Sequence, residues 1–301
     1  MREFVAGRND AGQRLDKLLT KLLRSAPKSM IYKWIRKKRV KVNGKKGEID
    51  YFVREGDVLE LYINDEFFEN AAEQPESTAS GEKIRVVYED GNILIADKPS
   101  GVRSHDGNGS FLAQITAYLV RKGEFDPARE ATFAPALCNR LDRNTSGLII
   151  AAKNAEALRI MNEKIRCREV RKIYILKTEG VISPPEGKIE GYVKKDEKRR
   201  KMIFRFEPFD GAKRCVTKYR AQDGNGTVEA ELLTGRTHQI RASFAAVGCP
   251  LVGDVKYGAH KNGGKSFQEL RAYKIIFDFS TPSGVLEYLN GKEITADKEP
   301  Q

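Results

Sequence analysis

One reversal of charge divides this chain and limits how it can fold. Residues 64–82 carry six Asp/Glu and no Lys or Arg, whereas residues 1–63 hold 16 basic against 8 acidic side chains and residues 83–301 hold 38 against 28. The acidic piece ends in Gln74-Pro75-Glu76-Ser77-Thr78-Ala79-Ser80-Gly81 and has no bulky apolar residue past Phe68. Such a segment buries too little surface to offset the entropy of ordering it. Each flank must therefore build its own core. The pattern predicts a small domain over 1–63, an acidic flexible linker over 64–82 and a large domain over 83–301.

The net charge of +12 suits a polyanionic partner, nucleic acid before an anionic membrane surface. The longest apolar stretches, such as residues 148–152, fall far short of the about 20 residues that span a bilayer. The N-terminus, Met1-Arg2-Glu3-Phe4-Val5, lacks the apolar core of a secretion signal. Cys138, Cys167, Cys215 and Cys249 lie far apart, and His105, His238 and His260 pair closely with no other ligand type. Neither a disulfide framework nor a structural zinc site is expected. The expected setting is a soluble protein of the reducing cytoplasm.

In the small domain, Leu15, Leu18, Leu19, Leu22 and Leu23 follow the spacing of an amphipathic helix that Pro27 breaks. Ser29 is positioned to cap a second helix with Met30, Ile31, Trp34 and Ile35 on its buried face. Val40-Lys41-Val42 alternates into an Asn43-Gly44 turn, Glu55-Gly56-Asp57 makes another turn, and Leu59, Leu61 and Ile63 alternate in a closing strand. The basic run Arg36-Lys37-Lys38-Arg39, with Lys41, sits where helix meets sheet. By itself such a run also describes a solvated helix end, where cations favour the dipole. The whole pattern, from Arg14-Leu15-Asp16-Lys17-Leu18-Leu19 through Ile35 to Gly44 and on to Glu55-Gly56-Asp57-Val58-Leu59, resembles the alpha-L (S4-type) RNA-binding domain over about residues 12–63. The resemblance implies that Arg36, Lys37, Lys38, Arg39 and Lys41 bind RNA. Cations so placed neutralise phosphates and read little sequence.

The large domain mixes short strand-like runs (84–88, 93–96, 148–152, 170–178, 227–233, 275–279) with a helix that Asn154 caps through Ala157, Leu158, Met161 and Ile165. That mixture predicts an α+β fold on a mixed, largely antiparallel sheet. Three segments look chemically purposeful. Asn139-Arg140-Leu141-Asp142-Arg143-Asn144-Thr145-Ser146-Gly147 sets a carboxylate between two arginines, and neighbouring cations keep an acid ionised as a nucleophile or base. Arg171-Lys172-Ile173-Tyr174 puts Lys172 and Tyr174 on one strand face, where a tyrosine can stack on a base. Gly235-Arg236-Thr237-His238-Gln239-Ile240-Arg241 opens a helix with Thr237 as N-cap and Gly248 as its end, so that Arg236 can reach a carboxylate or phosphate. Taken singly, each has a plainer structural reading: an Asx-turn aspartate, a half-buried tyrosine, and for His238 a capping or packing role, which is favoured.

Taken together, and with Asp97-Lys98-Pro99-Ser100-Gly101 and Gly248-Cys249-Pro250-Leu251-Val252-Gly253-Asp254-Val255-Lys256-Tyr257-Gly258, they resemble the RluA/RluD-type family of pseudouridine synthases over essentially 83–275. The resemblance implies the pseudouridine synthase fold behind an S4-type domain. It implies an isomerase that breaks the N1–C1′ bond of a uridine, turns the base and rejoins it through C5, with no metal, nucleotide or flavin cofactor. Asp142 would be the catalytic aspartate, and Tyr174 would stack on the flipped uracil and help remove the C5 proton. Arg236 would pair with Asp142, Arg140 would push into the RNA where the base leaves the stack, and Lys172, Ile240 and Leu270 would shape the pocket. Extruding the base costs a few kcal/mol, which a cationic wedge partly offsets.

Three positions depart from the usual pattern: Asn139 and Cys249 stand where histidine is common, and Arg271 occupies a Leu-Arg-Ala segment that more often reads Leu-His-Ala. They bear on which uridine is chosen. The expected partner is RNA of the 23S ribosomal type, with neither membrane nor metal, and a monomer is the default assembly. The alternatives are a non-catalytic RNA-binding or ribosome-assembly protein, or the same activity on transfer RNA. The basic run Lys194-Lys195-Asp196-Glu197-Lys198-Arg199-Arg200-Lys201 reads equally as an RNA contact and as a solvated hairpin tip.

Overall fold

The computed structural model describes residues 1–68, 84–260 and 267–298. The N-terminal unit runs β1 (Arg2–Val5), α1 (Leu15–Leu22), α2 (Lys28–Arg36), β2 (Val40–Val42), β3 (Lys45–Lys46) and β4 (Val58–Leu61), with sheet order β1-β4-β2-β3. The predicted faces close on each other: Leu15, Leu18, Leu19, Ile31, Trp34 and Ile35 are all buried in one cluster with Val40, Leu59 and Leu61. Asn43 and Gly44, both with positive φ (50° and 76°), make the tight turn from β2 to β3.

Two boundaries differ from expectation. α1 ends at Leu22, short of Pro27, and Pro27 instead precedes α2 as its N-cap residue. Ser29 thus lies inside the helix and makes no cap, because the fixed φ of proline already sets the first turn. The expected linker also starts later than residue 64. Asp65–Phe67 form a 3-10 turn, Phe67 packs edge-on against Trp34 at 5.0 Å, and the Arg2 guanidinium lies 4.7 Å over Phe68. Residues 69–82 of that linker lie outside the described residues.

The large unit continues with β5 (Arg85–Glu89), β6 (Ile93–Lys98), α3 (Phe111–Arg121), β7 (Ala136–Leu137), β8 (Ser146–Ala152), α4 (Ala155–Arg166), β9 (Val170–Lys177), β10 (Glu186–Asp196), β11 (Lys201–Arg205), β12 (Lys213–Ala221), β13 (Thr227–Leu232), α5 (Gln239–Ala246), β14 (Leu270–Phe277) and β15 (Glu293–Thr295). One mixed sheet runs β11-β10-β12-β13-β9-β14-β8-β6-β5, with β7 beside β8 and β15 beside β14. Among the described strands only β8 and β14 pair in parallel, so the predicted α+β, largely antiparallel architecture holds.

Alternation along the central strands builds two cores. Leu148, Ile150 and Ala152 of β8 join Ile93, Ile95 and Phe277 under α4, while Ile149 and Ala151 join Leu94, Phe111 and Phe244 on the side of α3 and α5. Asn154 caps α4 as expected, its side chain accepting from Ala157 N at 2.8 Å. The parallel crossing explains Gly147. Its φ is +116°, and a β-carbon there would stand 2.1 Å from Ala272 O, so no residue with a side chain fits without moving β14.

The two units touch. Asn9 Oδ1 accepts from Ala155 N at 3.0 Å in the first turn of α4, Asn9 Nδ2 donates to Glu130 Oε1 at 2.8 Å, and the Thr132 hydroxyl bonds the Asp10 carboxylate. Among the described residues no helix is long and apolar enough to cross a membrane.

Candidate active site

Asp142 sits on the loop between β7 and β8, and that loop is clamped from all sides. Asn139 accepts from Ile150 N at 2.8 Å and donates to Leu148 O at 3.4 Å, tying the loop to β8. Ser104 Oγ donates to Leu141 O at 2.7 Å and accepts from Leu141 N at 3.1 Å. Thr145 N closes a turn on Asp142 O at 3.0 Å. The segment Asp97-Lys98-Pro99-Ser100-Gly101 supplies the rest. The fully buried Lys98 Nζ donates to Pro99 O (2.8 Å), Val102 O (2.8 Å) and Arg143 O (3.0 Å), and Ser100 Oγ donates to Asn144 O at 2.9 Å. Burial pushes the Lys98 amine down to about 8, although Asp142 and Asp97 pull it the other way. A buried cation held by carbonyls alone is costly unless its geometry is needed.

The loop borders an open cleft of about 510 Å³. Asp142, Lys172, Tyr174, Ile240 and Leu270 line it, with the exposed Arg140 and Arg236 at its rim. The structure therefore gathers in one place every residue that sequence assigned to catalysis, base extrusion and the pocket. Lys172 and Tyr174 share a face of β9, as the period of two requires. Tyr174 is buried. Its hydroxyl is pushed well above the usual tyrosine range by burial and by the charge of Asp142, so the ring stays a neutral phenol. Burial alone lowers the Lys172 amine.

One assignment is corrected. Arg236 does not pair with Asp142: its Nε donates to Arg214 O at 3.2 Å. The reason lies in the turn before α5. Gln239 Oε1 accepts from Arg236 N (3.1 Å) and from the Thr234 hydroxyl (2.7 Å), which folds the turn so that Arg236 points outward over β12. The guanidinium that meets the aspartate belongs to Arg241, Nη1 to Oδ2 at 3.4 Å. Arg241 is itself gripped by Asp254, at 2.7 Å and 2.8 Å. Burial works against its charge, but Asp254 and Asp142 outweigh burial and hold its pKa above the usual value. Sequence carried no signal for this choice, because it turns on how the irregular turn before α5 folds.

Thr237 is not the cap either. His238 occupies that position with φ 50° and makes no side-chain cap bond, while Gly248, with φ 79°, follows the last turn as expected. Arg271 lies on the far face of β14 from Leu270. It is fully buried, with Nη2 at 2.6 Å from Asp97 Oδ2 and Nε at 2.6 Å from Asp297 O, and it ties β14 to β6. Cys249 packs half-buried against the α5 core. In the N-terminal unit Arg36, Lys37, Lys38 and Arg39 are exposed, and none forms an ion pair among the described residues. Lys41 differs: it contacts Glu60 at 3.5 Å and lies over the Tyr62 ring at 5.1 Å. The run at 194–201 caps the β10–β11 hairpin.

Comparison with known proteins agrees with this architecture. Residues 92–246 match the RNA pseudouridylate synthase family and residues 13–59 match the S4 domain. An uncharacterised RNA pseudouridine synthase of Mycoplasma capricolum is 31% identical, over 98% of this chain and 97% of its own. A ribosomal large subunit pseudouridine synthase C of Vibrio cholerae is 33% identical, over 82% of this chain and 78% of its own. In fold, human RNA pseudouridylate synthase domain containing 1 superposes with a TM-score of 0.55 at 22% identity, over 72% of this chain and 92% of that one. A catalytic-type cleft on a mixed sheet, a basic domain in front and full-length relatives of one kind lead to the same place: the chain belongs to the RNA pseudouridine synthase family, an isomerase that converts uridine in RNA to pseudouridine and carries an N-terminal S4 domain.

Proposed function

We propose that this synthase acts on uridines of large-subunit ribosomal RNA and that Asp142 is its reacting carboxylate. The observation that carries the reading is the Asp142 carboxylate held by the Arg241 guanidinium at the edge of a cleft that Tyr174 also lines. An acid paired in this way is held in one orientation, as attack on C1′ or assistance to departing uracil requires. The N1–C1′ bond breaks, the uracil turns within the cleft, C5 bonds C1′, and the C5 proton leaves as N1 regains one. The buried, neutral Tyr174 supports stacking on the flipped base more than it supports proton removal. Arg140 at the rim enters the space the base vacates, and Lys172, Ile240 and Leu270 shape the walls. Arg236, exposed at the same rim, contacts RNA phosphate rather than Asp142.

The remaining contacts follow from the domain division. Residues 1–63 grip RNA through Arg36 to Arg39, the acidic segment joins the units beyond Phe68, and residues 83–301 do the chemistry. The proposed assembly is a monomer. The ribosomal target is supported by relatives named ribosomal large subunit pseudouridine synthase C in Vibrio cholerae and Haemophilus ducreyi, at 33% and 31% identity. Incubating the protein with unmodified large-subunit RNA and mapping pseudouridine chemically tests both parts. Asp142→Asn is expected to yield no product while still folding and binding RNA. A variant rate equal to wild type removes the carboxylate assignment; modification of transfer RNA alone removes the ribosomal target.

A further inference from the structure

Two side chains converge on one oxygen of Asp142. Arg241 Nη1 lies 3.4 Å and His238 Nε2 3.7 Å from Oδ2, and the hydrogen bond that Arg241 donates goes to that oxygen. Charge accounts for Arg241. His238 needs another account, because its left-handed backbone (φ 50°, ψ 25°) is unfavourable for a residue with a β-carbon and no local cap bond compensates for it. What the conformation achieves is contact with Tyr257. His238 Nδ1 is 2.8 Å from the Tyr257 hydroxyl, and the rings meet edge-on at 85°.

That contact fixes the imidazole's protons. The Tyr257 oxygen already accepts from Met202 N at 2.9 Å, and burial pushes its pKa up to about 12, so the hydroxyl keeps its proton. Among the described residues its one acceptor is His238 Nδ1. An imidazole that accepts at Nδ1 carries its proton on Nε2, the atom that faces Asp142. The groups around the ring are Asp142, Asp254, Arg241, Lys256 and Tyr257. Burial lowers the His238 pKa, Arg241 and Lys256 act in the same direction, and the two carboxylates oppose them. The ring is therefore neutral at neutral pH.

We propose that His238 is a positioning residue: a neutral imidazole whose Nε2–H is aimed at Asp142 Oδ2 by the Tyr257 hydroxyl. Together with Arg241 it makes Oδ2 the held oxygen and leaves Oδ1 to face the ribose. The 3.7 Å separation closes to a hydrogen bond when RNA fills the cleft, as catalytic contacts commonly do. The proposal rests on Asp142 being the reacting carboxylate. Because Tyr257 also bonds Met202 of β11, it ties the aspartate to the hairpin that carries the basic run at 194–201.

Nitrogen-15 NMR of the imidazoles tests this without turnover, since the chain has three histidines and His238→Gln assigns the signal. The expected wild-type signature at pH 7 is a pyridine-type Nδ1 and a protonated Nε2, with Tyr257→Phe releasing a mixture of tautomers. In single turnover on RNA, Tyr257→Phe and His238→Ala are expected to lose about tenfold in the chemical rate, the worth of one hydrogen bond to a charged group, with RNA affinity unchanged. His238→Gln, which retains an N–H donor, recovers part of that rate. A protonated Nδ1 or a charged ring in the wild type overturns the proposal. So does an unchanged rate in both variants, or a loss that tracks melting temperature and that Gln does not rescue. If wild-type protein forms no pseudouridine at all, the reading of the site fails first, whatever the tautomer.

Discussion

The cations of the two units are put to opposite uses. In the N-terminal unit Arg36, Lys37, Lys38 and Arg39 stand in water with no acidic partner among the described residues. In and behind the cleft wall, Arg241 and Lys98 are buried and held by acids or carbonyls at fixed distances. Exposed cations are interchangeable. Each releases counterions when it meets a phosphate, so each contributes additively and salt weakens all of them. Buried cations are not interchangeable: removing one leaves its partners desolvated and unpaired.

The sharpest way to break that contrast is Arg241→Ala. It strands the buried Asp254 and frees Asp142, so stability is expected to fall by about 3 kcal/mol, with the chemical rate down about a hundredfold or more. Thermal melting and single-turnover kinetics check both. If Arg241→Lys matches wild type, charge alone is what matters and the contrast fails. The next largest effect belongs to the exposed set. Replacing Arg36, Lys37, Lys38 and Arg39 together by Ala should weaken RNA binding about ten- to a hundredfold at low salt and flatten the slope of log K against log salt, with the rate at saturating RNA unchanged. Filter binding across a salt series reads this.

Lys98 sharpens the comparison through pH. Between pH 7 and 9 the buried amine loses its proton, its pKa being about 8, while exposed lysines of ordinary pKa keep theirs. A neutral amine has two hydrogens for three carbonyls, so the Asp142 loop loosens and the chemical rate falls with RNA affinity nearly constant. Stability moves the other way. A folded pKa below that of a free lysine means protonation costs stability. The contribution of Lys98 is therefore complete above the ordinary lysine value and is lost as pH falls through about 8. Lys98→Met removes the pH step if Lys98 is its source. The smallest effect is expected at Lys41→Ala, since Glu60 and Tyr62 already engage that amine and water screens an exposed pair of this kind; competition binding should move by less than threefold.

Much of this was legible in sequence because it depends on local pattern. The leucine spacing of α1 gave its buried face, Asn154 gave the start of α4, and alternation gave β8 and β9. Residue types in motif order were enough to collect Asp142, Tyr174 and Lys172 into one cleft. What sequence could not supply was the direction of a side chain after an irregular turn. Arg236 and Arg241 are equally plausible partners for an acid on paper. The choice depends on Gln239 folding back onto Arg236 N and Thr234, which no periodicity reports. His238 was set aside for a similar reason, because its role depends on Tyr257, nineteen positions later in the chain. The strands β10 to β12 were missed although burial alternates along β10 at Ile189, Gly191 and Val193, because a glycine in that row and few bulky apolar residues leave the pattern faint in sequence.

Asn9 joins the two units at the first turn of α4 and through Glu130. If the leading unit grips RNA as proposed, that RNA is tethered to the unit that carries Asp142, and its second encounter is intramolecular, governed by a local concentration that the protein sets. Loss of grip at one end should then be felt at the other as a slower capture of the target nucleotide, even though no atom of the reacting centre has changed.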